Sequence, residues 1–162
     1  MPRFAFLLAL AGLLAVAPVP GQQKPDFSGE WVLNKARTQL QFPDITAIDR
    51  GSVEIEREGT AFKFKRVFVI GLEKDIYSYE LTADGKEKTT KEGKRKIVSK
   101  SYWQGDALVY DTRIDAPQGD ATNVVYYRLR EDGKVLEAEE HFRGPNHKHD
   151  NVWVFDRKPP TP

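Results

Sequence analysis

The chain has 162 residues, with 25 basic and 24 acidic side chains, a formal net charge of +1 and no cysteine. This length supports one domain of ordinary size, and the nearly neutral charge gives no electrostatic reason to bind nucleic acid or an acidic membrane surface. The absence of cysteine excludes disulfides, thiolate metal sites and cysteine nucleophiles.

The start of the chain is predicted to be a cleaved signal peptide, residues 1–21. Arg3 precedes an unbroken apolar run over residues 4–17, which is too short to span a bilayer as a helix and has the length of a signal-peptide apolar region. An uncleaved membrane anchor is the alternative interpretation. After cleavage of the signal peptide, residues 22–162 would form a mature periplasmic or secreted domain with no membrane span.

The rest of the chain is predicted to consist of strands and tight turns. Short runs rich in Val, Ile, Tyr, Phe, Trp and Thr alternate with Gly-containing turn signals, and helical periodicity is almost absent. The predicted strands lie near residues 29–34, 52–58, 61–70, 74–82, 95–104, 107–115, 121–131, 134–143 and 149–157. Residues 35–51 are expected to hold one helical turn or a lid, and the charged segment 84–94 is a solvated connection with room for a short strand.

Three hairpins can be tested for register from the sequence. Two-residue turns at Gly59-Thr60, Gly105-Asp106 and Asp132-Gly133 each place opposite charges on one face and apolar side chains on the other. The predicted charged pairs are Glu56 with Lys63, Lys100 with Asp111 and Arg128 with Glu137. The predicted apolar pairs include Trp103 with Leu108 and Leu129 with Leu136. The sheet therefore has one wet face and one enclosed face.

Such a sheet must close on itself or fold into two layers. The short loops predict an all-β fold, an antiparallel up-and-down barrel of about 8–10 strands. Each strand from residue 52 to 157 is expected to pair with its successor. The first strand is expected to pair with the last, because this removes two exposed edges.

Two motifs carry a family resemblance. Trp31 belongs to a Gly-x-Trp sequence at the start of the first strand, and Arg157 ends an aromatic last strand. Over most of residues 26–158 the chain resembles a bacterial lipocalin-like domain of the calycin type, although the lipocalin Thr-Asp-Tyr motif and C-terminal helix are missing. The resemblance implies that Arg157 packs over Trp31 and plugs the closed end of the barrel, a favourable arrangement for a guanidinium and an indole.

The enclosed face also carries polar residues, which an apolar core avoids unless they are paired. Arg66 is in phase with apolar residues of its own strand, and several hydroxyl groups are in phase with Trp103 and Leu108. Two interpretations remain open: a cavity that binds a ligand, or a filled barrel in which these groups pair internally, such as Arg66 with Glu140. The candidate ligand-binding residues are Phe62, Phe64, Arg66, Tyr77, Tyr79, Ser99, Ser101, Trp103, Tyr110 and Tyr127.

No catalytic or metal-binding constellation is visible. The serines lack a nucleophile motif and a His–Asp partner, and alternate glutamates from Glu54 to Glu58 face lysines, which is typical of an outer charged face. His147 and His149 could form a minimal metal pair, but the composition of their loop favours surface histidines. We therefore predict neither metal nor cofactor.

These observations favour an exported, monomeric binding protein rather than an enzyme. Its expected partner is a small, mainly apolar or amphipathic molecule, with or without an acidic group. The alternative is a non-catalytic envelope domain, structural or interacting, with a filled barrel. An enzyme of the barrel-isomerase or haem-nitrogen-oxide type is the last hypothesis.

Overall fold

The computed structural model describes residues 23–159, so the predicted signal peptide lies outside the described residues. One 3₁₀ turn, Ile45–Ala47, lies between the first two strands, within the irregular stretch predicted at 35–51. The described chain contains ten strands: β1 (Gly29–Leu33), β2 (Arg50–Glu58), β3 (Ala61–Ile70), β4 (Glu73–Thr82), β5 (Lys88–Glu92), β6 (Arg95–Gln104), β7 (Ala107–Asp115), β8 (Ala121–Arg130), β9 (Val135–Arg143) and β10 (Lys148–Arg157).

All ten strands belong to one antiparallel sheet with the order β4-β3-β2-β1-β10-β9-β8-β7-β6-β5. The first strand pairs with the last, as Trp31 lies opposite Arg157 in the β1–β10 ladder. The predicted all-β, up-and-down fold class is therefore confirmed. No helix among residues 23–159 is long and apolar enough to cross a membrane.

The predicted hairpin registers are confirmed. Glu56 lies opposite Lys63, Lys100 opposite Asp111 and Arg128 opposite Glu137. The outer charges also pair diagonally, since Arg128 contacts Glu139 at 3.0 Å and Arg130 contacts Glu137 at 2.9 Å. Alternation with a period of two thus places the charges outside and the apolar residues inside.

One pairing prediction is wrong, because β4 does not pair with β6, the strand predicted at 95–104 as its successor. β6 pairs with β5 instead, and β4 and β5 form the two edges of the sheet. The chain leaves β4 at residue 83, and the Gly85 amide donates instead to the Ser101 carbonyl oxygen of β6 at 2.8 Å. All five residues of β5 are exposed. With no apolar side chain to bury against β4, this short strand gains nothing from closing the ladder.

Aromatic side chains inside the barrel bridge strands that are not neighbours in the sheet. Tyr79 of β4 stacks on Tyr110 of β7 with 6.2 Å between ring centroids, and Phe64 of β3 contacts Tyr127 of β8 at 5.1 Å. These contacts hold the β3–β4 hairpin against the opposite wall without backbone hydrogen bonds between β4 and β5. Apolar packing thus links the two halves of the barrel across its interior.

The predicted plug forms at one end of the barrel. Trp31 is completely buried, and the guanidinium carbon of Arg157 lies 4.1 Å from the centroid of its ring. Arg157 also donates to the carbonyl oxygens of Gly133 and Ser28, both at 2.7 Å. Gly29 has a φ of +134°, and a Cβ atom there would lie 2.7 Å from the Arg157 guanidinium. Glycine in the Gly-x-Trp motif therefore makes room for the cation.

The segment after β1 crosses the opposite end and is anchored to β10. Asn151, which is 1% exposed, accepts hydrogen bonds from the Gln41 and Phe42 amides at 2.9 and 3.3 Å. Its own amide donates to the Phe42 carbonyl oxygen at 2.7 Å. The Asn151 side chain therefore replaces a strand partner for this irregular segment.

Candidate functional site

An internal cavity of about 110 Å³ lies on the enclosed face of the sheet. Its wall combines apolar side chains with one cation, one carboxylate and two phenols. This mixture is typical of small-molecule sites, although such pockets usually measure about 300–1,000 Å³. The lining residues are Val53, Arg66, Phe68, Tyr79, Val125, Tyr127, Leu136, Glu140, Trp153 and Phe155.

Arg66 supplies the positive charge of the cavity. Its Nη2 donates to Asp75 Oδ2 at 2.8 Å, and its guanidinium carbon lies 4.7 Å from the Phe68 ring centroid and 5.5 Å from that of Tyr77. Its Nε is buried and has no hydrogen-bond partner within residues 23–159. An internal ion pair between Arg66 and Glu140 was one possibility for a filled barrel, and it does not form. Arg66 pairs instead with Asp75, which lies on the inward face of the neighbouring strand β4.

Two tyrosines form a hydrogen-bonded pair in the wall of the cavity. The hydroxyl groups of Tyr79 and Tyr127 lie 2.9 Å apart, and the Tyr79 ring stacks on Phe64 with 4.9 Å between centroids. Burial raises the pKa of Tyr79 to about 12. Burial and the neighbouring Tyr79 raise the pKa of Tyr127 well above its usual range. Both phenols therefore remain neutral hydrogen-bonding groups at physiological pH.

These raised pKa values predict a loss of stability in alkali. A tyrosine in the unfolded chain ionises near pH 10, whereas the folded protein keeps these two protons. The stabilising contribution is complete below about pH 10 and is lost as the pH rises through the folded-state values, by up to about 1 kcal/mol per pH unit for each tyrosine. We expect the free energy of unfolding in urea to fall between pH 10 and 12.

The matched variants are the double change Tyr79→Phe/Tyr127→Phe and the control Tyr102→Phe. Tyr102 lies opposite Val109 in the β6–β7 ladder, on the outer face. The double variant should show a shallower decline in stability between pH 10 and 12, and the control should follow wild type. The same decline in all three proteins would contradict the assignment of this pH dependence to the buried pair.

Glu140 supplies a carboxylate to the same cavity. Its Oε2 accepts hydrogen bonds from Asn151 Nδ2 at 2.9 Å and Trp153 Nε1 at 3.0 Å, and its Oε1 accepts from Asn123 Nδ2 at 3.2 Å. The Asn123 Oδ1 atom is buried without a hydrogen-bond partner in the described chain. Neutral donors thus hold a charged acceptor inside the barrel.

The structure brings three of the ten predicted site residues to the cavity wall: Arg66, Tyr79 and Tyr127. Phe64 does not line the cavity but stacks on the Tyr79 ring, and Tyr77 is 53% exposed and contacts the Arg66 guanidinium. The others lie elsewhere on the enclosed face. Phe62 and Trp103 pack against Phe27, and Ser99, Ser101 and Tyr110 lie on β6 and β7 outside the cavity lining. Whether any of the ten binds a ligand stays a prediction.

Sequence reasoning missed the part of the cavity wall that β10 provides. Trp153 and Phe155 line the cavity, and both are in phase with Asn151 and Arg157. The alternation along β10 could have revealed them, because Arg157 had already been assigned to the enclosed face. The pairing of Trp153 with Phe68, stacked at 5.3 Å, was not accessible in that way, since these residues belong to strands that are not neighbours.

The prediction of surface histidines is wrong for His149, which is 8% exposed and stacks on Phe142 with 5.0 Å between centroids. β10 begins at Lys148, so His149 already lies in a strand and faces inward with Asn151. His147 is exposed, as predicted, and the glutamates from Glu54 to Glu58 lie on the outer face. Within residues 23–159 no group of three or more His, Asp or Glu side chains could hold a metal ion.

Comparisons with known proteins bear on the fold. No family model matches the chain, and no curated protein matches it. Among solved structures, the zebrafish ileal bile acid-binding protein complexed with cholic acid matches with a TM-score of 0.55 and 16% identity, over 82% of this chain and 98% of that one. A secretory abundant heat soluble protein from Ramazzottius varieornatus gives 0.53 and 14% over 81% and 94%. The REP1-NXSQ fatty acid transporter gives 0.51 and 14% over 84% and 98%.

These similarities establish a calycin-like β-barrel, as the Gly-x-Trp motif and the final basic residue had indicated. The fold alone follows from them, because the identities are low. The chemistry of the site has to be argued from its own residues.

Proposed function

We propose that this protein binds a small, mainly apolar molecule with an acidic group, held in the barrel cavity by Arg66. The observation that carries the proposal is the Arg66 guanidinium at a largely aromatic and aliphatic cavity wall, with a buried Nε that has no hydrogen-bond partner in the described chain. An arginine offers planar, bidentate recognition of a carboxylate. The apolar tail would lie along Phe68 and Trp153.

The fold similarities support a binding role without catalysis. One similar solved structure is named a fatty acid transporter, and another is a bile acid-binding protein solved with cholic acid. Because their sequence identities are low, they support ligand binding as a class of function, and the kind of ligand has to be inferred from the residues of the cavity. The residues of this cavity would hold and orient a ligand, and none of them is placed as a nucleophile beside a base.

The size of the cavity sets a condition on the ligand. A volume of about 110 Å³ suits a short aliphatic acid, and a longer one requires the wall to widen. The edges β4 and β5 are not joined by ladder hydrogen bonds, so the β3–β4 hairpin can move outward without breaking a ladder between these two strands. Binding of a long acid would therefore be coupled to separation of Tyr79 from Tyr110 and Tyr127.

The second candidate function is a non-catalytic envelope domain with a filled barrel, structural or interacting. The aromatic contacts across the interior and the small cavity favour it. One of the similar solved structures is named for heat solubility and not for a ligand. The two candidates differ in one measurable property, namely whether an acid binds in a manner that depends on Arg66.

Calorimetric titration with hexanoate, a short aliphatic acid chosen for the size of the cavity, separates the two candidates. Arg66→Ala should weaken binding by about tenfold or more, which corresponds to about 1.4 kcal/mol. Asp75→Asn should strengthen binding, because Asp75 competes with the ligand for the guanidinium. Lys65→Ala is the matched control, since Lys65 is the neighbouring exposed cation on the outer face. Equal affinity of wild type and Arg66→Ala, or binding to neither, would favour the filled barrel.

Export to the periplasm or the medium is also part of the proposal. It rests on Arg3 and the apolar run over residues 4–17. N-terminal sequencing of the protein recovered from each cell fraction tests it. An intact N-terminus in the cytoplasmic fraction would contradict export.

A further inference from the structure

Glu140 is a carboxylate inside the barrel whose hydrogen-bond donors are all neutral. Asn151, Trp153 and Asn123 donate to it at 2.9, 3.0 and 3.2 Å. The nearest basic group in the described chain is the His149 ring, whose Nε2 lies 3.9 Å from Oε2, beyond hydrogen-bonding distance. Arg66, the other charged residue of the cavity wall, forms its ion pair with Asp75. The Glu140 carboxylate is therefore hydrogen-bonded by neutral donors only, and no nitrogen of a basic side chain in the described chain lies within hydrogen-bonding distance of it.

Two neighbouring acceptors at this position have unused capacity. Glu140 Oε1 receives one hydrogen bond, at 3.2 Å, although a carboxylate oxygen can accept two. Asn123 Oδ1 is buried and receives none from the described residues. Since Asn123 Nδ2 donates to Glu140 Oε1, the two open acceptors belong to side chains in direct contact. Together they offer a negative position for a group with several donor hydrogens.

The cavity thus has two charged ends with an aromatic strip between them. The Arg66 guanidinium carbon lies 4.7 Å from the Phe68 ring centroid, and Phe68 stacks on Trp153 at 5.3 Å. The Trp153 indole N–H then donates to Glu140. A ligand that reached both ends would lie along these two rings, with one polar group at each end.

We propose that Glu140 and Asn123 bind an ammonium group, and that the ligand is a short aliphatic zwitterion with its carboxylate at Arg66 and its amine at Glu140. The inference rests on the proposed function, because it adds a second charged group to the same ligand. An ammonium carries three donor hydrogens and can serve both open acceptors. Its positive charge would form an ion pair with the Glu140 carboxylate.

A hydroxyl group fits this end less well. It donates one hydrogen bond, so that one of the two acceptors stays unserved, and it leaves the Glu140 charge without a counterion. A ligand with a carboxylate alone would add a negative charge to a cavity that already contains Glu140. The amine is therefore the group that the two open acceptors and the negative charge of Glu140 favour together.

Calorimetric titration with four matched probes tests the inference: hexanoate, 6-hydroxyhexanoate, 6-aminohexanoate and hexylamine. With wild type, 6-aminohexanoate should bind about tenfold or more tightly than hexanoate. Glu140→Gln should abolish this preference, and hexanoate should bind more tightly to it than to wild type, because the variant removes a negative charge from the cavity. Glu139→Gln is the matched control on the outer face of the same strand, where Glu139 pairs with Arg128, and it should behave as wild type.

Two further measurements keep the outcome decisive. Asn123→Ala retains the Glu140 charge and should reduce the preference for the amine only in part, which guards against a Glu140 variant that folds poorly. Hexylamine has no acid, so binding of hexylamine that depends on Glu140 would support the amine site even if Arg66 proved irrelevant. Tightest binding of the hydroxy acid, no preference among the probes, or a preference that survives in Glu140→Gln would overturn the inference.

Discussion

Trp31→Ala is expected to lower the free energy of unfolding by about 3–5 kcal/mol, the cost of deleting a large aromatic side chain from a core. The indole is completely buried, and its Nε1 donates to the Phe27 carbonyl oxygen at 2.9 Å. The deletion would leave a void under the guanidinium of Arg157. Chemical denaturation followed by circular dichroism measures the loss.

Two variants separate the volume of Trp31 from its polar contacts. Trp31→Phe retains a ring and loses the Nε1 hydrogen bond, so it should cost less than the alanine variant. Arg157→Lys retains the charge but loses the flat guanidinium, which contacts the Trp31 ring and donates to two carbonyl oxygens. We expect it to cost about 1–3 kcal/mol. If Trp31→Ala cost less than about 1 kcal/mol, the plug would not be a stabilising element.

Asn151→Leu is expected to lower the free energy of unfolding by about 3 kcal/mol or more. The leucine keeps a similar volume but removes the partner of the Gln41 and Phe42 amides and of the Phe42 carbonyl oxygen. It also removes one of the three hydrogen bonds to Glu140. Every buried polar group that loses its partner costs about 1–3 kcal/mol. Because water can reach part of this segment, we expect the total cost to lie near the lower end of the sum of these individual costs.

Hydrogen exchange identifies where the stability is lost. The amides of Gln41 and Phe42 should exchange faster in Asn151→Leu, while those in the β7–β8 ladder should change only with the global stability. Asn146→Leu is the matched control, as Asn146 is an exposed residue in the β9–β10 turn. Unchanged protection of Gln41 and Phe42 in Asn151→Leu would show that the side chain does not anchor the segment.

Of the two residues with the largest expected effects, Trp31 could be predicted from the sequence and Asn151 could not. The place of Trp31 follows from a local motif together with the closing of the barrel, and it was expected from the sequence. The role of Asn151 was not expected, because its partners are about 110 residues away in an irregular segment with no periodicity. A side chain that supplies hydrogen bonds to a loop leaves no pattern in its own strand beyond being polar at an inward position.

In the candidate site, too, the sequence predicted the orientation of a residue, Arg66, but not its ion-pair partner. Alternation in β3 placed Arg66 on the enclosed face, and the register with β4 placed Tyr77 opposite it. Its partner, however, is Asp75 and not Glu140. The sequence contains an inward carboxylate at both positions. Asp75 lies opposite Phe68 in the same β3–β4 ladder as Arg66, whereas Glu140 lies on β9, which is not a neighbour of β3.

By itself, the sequence determined which side chains face inward, which turns connect the strands, and which strands close the barrel at Trp31 and Arg157. These properties depend on a backbone period of two and on glycines at turns, both of which act over a few residues. Only the tertiary structure decided that β4 and β5 stay apart, that His149 is buried, and that Arg66 and Glu140 are held separately around a cavity of about 110 Å³. Those outcomes depend on packing between strands distant in sequence, where side-chain volume and barrel curvature outweigh local pattern.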